Sequence, residues 1–210
     1  MARRLGAVLL VLTAGAALAF YGLRPDGLPL SCYLTDGEPP RAEIGVPDRP
    51  VRGRVTFTVS LSDNCRVGET RVYLDGRLLG PAGPVIAVDT AGLPDGDHRL
   101  GVTAADVALR PNVGRAEAVF RSDNTPPTLT APAGPVLIRQ GEARPVEIVS
   151  SEPLSRVELR WADFTVPITA QLTRLTVPVA AGPADPPGTR RLEVAAWDPA
   201  GNEARLAVEV

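Results

Sequence analysis

From Val55 to Leu61 the chain alternates without a break, with Val55, Phe57, Val59 and Leu61 separated by threonine or serine. A period of two places one set of side chains on a core and the other in water, as in a half-buried β-strand. The same period recurs in Leu100, Val102 and Ala104, in Val157, Leu159 and Trp161, and in Phe164, Val166 and Ile168. It returns in Leu175, Val177 and Val179, in Leu192, Val194 and Ala196, and in Ala204, Leu206, Val208 and Val210. Shorter stretches at Thr70–Leu74, Val85–Val88, Ala116–Arg121 and Val146–Ile148 read as further strands. Turn signals lie between them. Asp75-Gly76 fits a tight hairpin, and Leu93-Pro94-Asp95-Gly96-Asp97 and Asp198-Pro199-Ala200-Gly201-Asn202 are turn clusters. A ten-residue loop separates Ala105 from Ala116, and no helix is needed in this part of the chain.

The pattern is duplicated. Leu192, Val194 and Ala196 repeat Leu100, Val102 and Ala104 at a constant offset of 92 residues, and each set runs into an aspartate, Asp198 or Asp106. Each copy opens alike, with Asp36-Gly37-Glu38-Pro39-Pro40 or Asp123-Asn124-Thr125-Pro126-Pro127. Two prolines fix φ and bias their predecessors towards extended backbone, so each opening is a stiff lead-in. Short strands with turns every eight to twelve residues indicate an all-β chain of two tandem immunoglobulin-like antiparallel sandwiches, 25–122 and 123–210. The last strand, Glu203–Val210, ends the chain, so the second sandwich depends on it.

Residues 1–24 differ. Arg3 and Arg4 precede an uncharged apolar run from Leu5 to Leu23, the composition of an export signal. Two readings stay open. Ala17-Leu18-Ala19 fits cleavage after Ala19, while a retained run is long enough to cross a bilayer, with Phe20 and Tyr21 at its outer boundary. Retention is favoured, because cleaved signals have shorter apolar cores, and everything after Arg24 is then extracytoplasmic. A third reading takes Leu30-Ser31-Cys32 as a lipid-attachment sequence, against which Pro29 and the distance from Phe20 weigh. Cys32 and Cys65 are the only cysteines, and an even count in an exported chain points to a disulfide. A redox or metal-binding thiol pair would call for Cys-x-x-Cys spacing, which is absent.

Net charge is −2 and every one of the 22 basic residues is arginine, with no basic stripe of the kind nucleic acid requires. His98 is the sole histidine, beside Asp97, and reads as a surface or strand-start residue rather than a catalytic or metal-binding one. No nucleophile elbow, phosphate loop or dinucleotide fingerprint occurs, so neither an enzyme nor a cofactor is expected. Asp106, Asp123, Asn124, Asp198 and Asn202 are oxygen donors of the type calcium takes. Without an Asp-x-Asp run, their spacing favours turns in which each side chain bonds nearby backbone, and no metal is expected. Trp161 shares parity with Val157 and Leu159 and belongs to the core. Trp197 has the opposite parity to Val194 and Ala196, which places it on the outer face as a candidate ligand-binding residue.

The Asp-x-x-Pro-Pro openings, Asp-Gly-Asp-His-x-Leu-x-Val-x-Ala-x-Asp from Asp95 and Ala-Trp-Asp-Pro-Ala-Gly-Asn-Glu-Ala from Ala196 resemble bacterial immunoglobulin-like repeats of envelope proteins. An N-terminal apolar segment followed by two such repeats is similar to the non-catalytic front half of some peptidoglycan endopeptidases of the LytM/M23 class. The zinc-ligand patterns of that class are absent from this sequence, so no peptidase activity is implied. The expectation is a non-enzymatic cell-envelope protein, tethered through residues 5–23, that acts as a spacer or binds an envelope protein partner. One alternative is a carbohydrate- or peptidoglycan-binding module using Trp197 and the loop from Val107 to Gly114. The other is an accessory subunit of a separately encoded cell-wall hydrolase.

Overall fold

The computed structural model describes residues 27–161, 164–168 and 171–210. The apolar run from Leu5 to Leu23 and the cleavage position Ala19 lie outside the described residues. Among the described residues no helix is long and apolar enough to cross a membrane.

The fold is two tandem immunoglobulin-like antiparallel sandwiches. In the first, β1 (Arg41–Gly45), β2 (Arg54–Ser62) and β5 (Val85–Asp89) form a three-stranded sheet in the order β1-β2-β5. β3 (Val67–Leu74), β4 (Arg77–Gly80), β6 (Gly96–Asp106) and β7 (Val113–Ser122) form a four-stranded sheet in the order β4-β3-β6-β7. In the second, β8 (Leu129–Thr130), β9 (Ala143–Leu154) and β12 (Leu172–Ala180) give the order β12-β9-β8. β10 (Arg156–Trp161), β11 (Phe164–Ile168), β13 (Arg191–Trp197) and β14 (Glu203–Glu209) give β11-β10-β13-β14. Raising each strand number of the first copy by seven reproduces the second, so the duplication read from Leu100 and Leu192 extends to topology.

Each copy packs the residues that the period of two selects. Phe57, Leu100 and Ala104 are fully buried and Val72 and Val102 nearly so, with the Phe57 and Phe120 rings 4.7 Å apart between centroids. In the second copy Val146, Val179, Leu192 and Ala196 are fully buried, and Val157, Val194 and Val208 almost so. Trp161 packs against that core, as its parity predicts. By internal contacts the chain divides into two compact units. One comprises the described residues up to Val46, with Thr56–Ala87 and His98–Phe120; the other comprises Pro47–Val55, Val88–Asp97 and Arg121–Val210.

Several elements escape the pattern. β1 is short and charged, β8 has two residues, and β4 carries adjacent leucines, Leu78 and Leu79, both exposed on a sheet edge. A 3-10 turn at Thr90–Gly92, started by Asp89 accepting from the Ala91 N–H, follows β5. A five-residue helix, α1 (Leu30–Leu34), precedes β1. The loop expected between Ala105 and Ala116 is shorter, because β6 runs on to Asp106 and β7 starts at Val113. At the β3–β4 hairpin Asp75 and Gly76 have φ of 50° and 81°, the left-handed pair that a two-residue turn demands.

Candidate functional site

At one pole of each sandwich, the segment that leads into the copy meets the end of its sixth strand. In the second copy Asp198, fully buried, accepts the N–H groups of Gly201 (2.7 Å) and Asn202 (2.9 Å) on Oδ1. Asn202 Nδ2 donates to Asp198 Oδ2 and to the carbonyl of Asp123, both at 2.8 Å. The first copy repeats the arrangement, with the Ala108 N–H in the place of that of Gly201. Asp106, 4 % exposed, accepts the N–H of Ala108 (3.0 Å) and of Asn112 (3.1 Å), and Asn112 Nδ2 donates to Asp106 Oδ2 (2.7 Å) and the Asp36 carbonyl (3.1 Å). Strand-end aspartate, asparagine and lead-in carbonyl thus form one clasp, present twice. The aspartate and asparagine are six residues apart in the first copy and four in the second.

The second unit adds further acids to its clasp. One carboxylate oxygen each from Asp123, Glu152 and Asp198 lie within 4.8 Å of one another. Burial pushes Asp123 above the usual aspartate range, and Asp198 and Asp95 add repulsion. Burial also raises Glu152, with Asp123, Asp198 and Asp95 pushing the same way. Asp95 moves down, because it accepts from the Thr125 hydroxyl and the Asn124 N–H. The Asn124 side chain also bonds backbone groups. Its Oδ1 accepts from the Gly53 N–H (3.0 Å) and its Nδ2 donates to the Thr90 carbonyl (2.9 Å). Arg52 donates to Asn202 Oδ1 at 3.2 Å.

In the first unit a carboxylate oxygen of Asp36, one of Asp63 and the Sγ of Cys65 also lie within 4.8 Å of one another. Cys65 is bonded to Cys32 across 33 residues of chain, with a Cα–Cα distance of 5.6 Å, as the paired count predicts. Both sulfurs are thereby committed, which overturns the reading of Cys32 as a lipid-attachment site.

His98 is 6 % exposed, not a surface residue. Its Nδ1 lies 2.7 Å from Asp75 Oδ2, and its ring packs 5.6 Å from Phe120, which ties it to the hairpin aspartate. Asp75 is held low chiefly by the Arg99 N–H and further by His98. Trp197 is half-buried, paired in register with Arg156 and Glu203, and the Arg156 guanidinium lies 4.7 Å over its ring. It borders an open depression of about 590 Å³ with Glu158, Arg160, Glu193 and Arg205.

Of the five oxygen donors singled out in the sequence, the fold brings together Asp123, Asp198 and Asn202 and places Asp106 in the other unit. Sequence reasoning missed Asn112, Asp63 and Glu152. A signal for the first existed: Asn112-Val113-Gly114-Arg115 matches Asn202-Glu203-Ala204-Arg205 at an offset of 90, two less than the offset upstream.

No family model matches the chain, and no curated protein sequence matches it. Several solved structures are similar to it. Fibronectin(III)-like modules of Clostridium thermocellum CbhA align at 13 % identity over 80 % of this chain and 92 % of that one, with a TM-score of 0.45. A 1.5-MDa bacterial ice-binding adhesin aligns at 18 % identity over 83 % and 64 %, with a TM-score of 0.43. An amphioxus IgVJ-C2 molecule aligns at 13 % identity over 81 % and 96 %, with a TM-score of 0.34.

Proposed function

We propose that this is a non-enzymatic protein of the cell envelope whose two immunoglobulin-like domains serve as a spacer or protein-interaction module. The observation that carries this reading is the repeated clasp. In both copies a buried aspartate and its partner asparagine hold the lead-in segment against the sandwich, and paired prolines stiffen that segment, Pro39-Pro40 and Pro126-Pro127. Such investment suits a part that must keep its geometry. The disulfide supports an oxidising, extracytoplasmic compartment. The order of parts that resembles the front of LytM/M23 endopeptidases makes a separately encoded cell-wall hydrolase a natural partner. Contact would run through loops or the exposed edge of β4, where Leu78 and Leu79 lie.

A second reading is favoured by the depression beside Trp197, where an aromatic ring and charged side chains share the outer sheet face. Ring stacking with polar edges is the chemistry of polysaccharide recognition. Crosslinking in intact cells, followed by mass spectrometry, separates the two. A specific envelope protein crosslinked to this chain supports the module. Retention on purified cell-wall sacculi, abolished by Trp197→Ala and without any crosslinked protein, would replace that reading with the second.

A further inference from the structure

We infer that the second sandwich binds a saccharide at the pole opposite its clasp, in a cavity of about 400 Å³ lined by Gln140, Trp161, Asp185, Pro186, Pro187 and Arg190. β10, β12 and β14 end at this pole, and β9 and β13 begin there. Arg190 precedes β13 and Trp197 closes it, so Arg190 lies about 20 Å along the strand from Trp197. The two loops that wall the cavity are residues 131–142, between β8 and β9, and residues 181–190, between β12 and β13. Their counterparts in the first copy are 46–53 and 90–95, each four residues shorter. Both walls are therefore longer in the second copy although the strand order is the same.

The walls are stitched to each other. The Gly141 N–H donates to the Ala181 carbonyl (2.8 Å), and the Ala181 N–H donates to the Glu142 carbonyl (3.0 Å). Gln140 Nε2 reaches the Asp185 carbonyl at 2.6 Å. Asp185 Oδ2 accepts from the Gly182 N–H and from Arg190 Nη1, both at 2.8 Å. Pro183, Pro186 and Pro187 restrict the same loop further. A hollow already held in shape, with a few convergent polar groups, is the geometry of a small-ligand site, because little ordering entropy is left to lose on binding.

The chemistry of the lining selects the ligand. Trp161 packs against the core and also lines the cavity, where its indole offers a flat apolar surface to a sugar ring. Asp185 and Arg190 form an ion pair with side chains 34 % and 33 % exposed, so both are reached from solvent. Their bonds to described residues use Oδ2 of the one and Nη1 of the other. An acceptor oxygen and guanidinium N–H donors therefore stand side by side. A hydroxyl both donates and accepts, so neighbouring hydroxyls of a sugar satisfy the two together. The pair also discriminates, since a simple anion meets Asp185 and a cation meets Arg190. Arg139, exposed at the rim, adds a second positive charge and makes a cationic ligand the poorest fit.

The test screens the full chain against an array of oligosaccharides built from glucose, N-acetylglucosamine and uronic acids, and measures each hit by calorimetry. Saturable binding of at least one oligosaccharide is expected, with an upward shift in the melting of the second unit. Asp185→Asn and Arg190→Lys should each weaken that binding at least tenfold, with circular dichroism confirming that the strands remain. In a Trp197→Phe background Trp161 is the sole tryptophan, and its fluorescence should follow the same titration curve. Absence of binding to every oligosaccharide overturns the proposal. So does binding that survives both Asp185→Asn and Arg190→Lys, or that is lost with Trp197→Phe, which would place the sugar on the outer sheet face instead. Selection of peptides from a random library, dependent on Asp185 and Arg190 and with no sugar bound, would replace the saccharide with a peptide.

Discussion

Asn202 serves two acceptors with one amide group, and Asn112 does the same 90 residues earlier. Replacing either by alanine strands a buried carboxylate oxygen and a carbonyl, at about 1–3 kcal/mol. Asn202→Ala should lower the transition of the second unit and Asn112→Ala that of the first, read by chemical denaturation; equal loss in both would contradict independent clasps. The acids beside Asn202 give a pH signature. Asp123 and Glu152 have folded-state pKa values above their unfolded ones, so the folded form takes up protons first as the pH falls. The second unit therefore gains stability between neutral pH and the ordinary carboxylate range and loses that gain as the pH rises again. Asp95 and Asp185 act oppositely. Asp95 is held low by Thr125 and Asn124, Asp185 by the Gly182 N–H and Arg190, and their contribution disappears as the pH falls through those depressed values. The melting temperature should thus peak in mildly acidic buffer, and Glu152→Gln should flatten the rise; a steady decline from pH 7 downwards would refute this.

At the scale of elements, β14 supplies the outer edge of its sheet and buries Val208, with Leu206 and Val210 packed against the same core. Ending the chain after Asn202 should abolish the cooperative transition of the second unit while sparing the first, a result that calorimetry resolves. β7 is constrained differently. A Cβ on Gly114 would sit 1.7 Å from the Pro40 carbonyl oxygen, so Gly114→Ala must displace backbone, at about 1–3 kcal/mol or more. The equivalent residue in the other copy is Ala204, so the close approach belongs to the first copy alone. Long alternating strands such as β2, β6 and β13 were legible because a period of two survives any ignorance of partners. The clasps were not. Asp36 and Asn112 lie 76 residues apart and Asp123 and Asn202 lie 79 apart, and single polar residues carry no period that reveals such pairs. β1 and β8 were hidden for a related reason: they are too short, or too charged, for alternation to register. His98 misled in the other direction, since a lone polar residue beside Asp97 looks exposed until Phe120 and Asp75 enclose it.

For the whole molecule, two copies of one topology differ in how they are secured, and the Cys32–Cys65 bond belongs only to the first. Closing a 33-residue loop is worth about 3–4 kcal/mol in the chain-entropy account. Mild reduction should then lower the first transition and leave the second unmoved, so a protein with overlapping transitions should show two after reduction. The clasp has another consequence. Its geometry is set by the aspartate and the asparagine, while the number of residues between them differs in the two copies, six positions from Asp106 to Asn112 and four from Asp198 to Asn202. The intervening segment is therefore a tolerant graft point, where a reporter peptide inserted after Arg110 would be displayed on the pole of the domain with the sheets beneath it undisturbed.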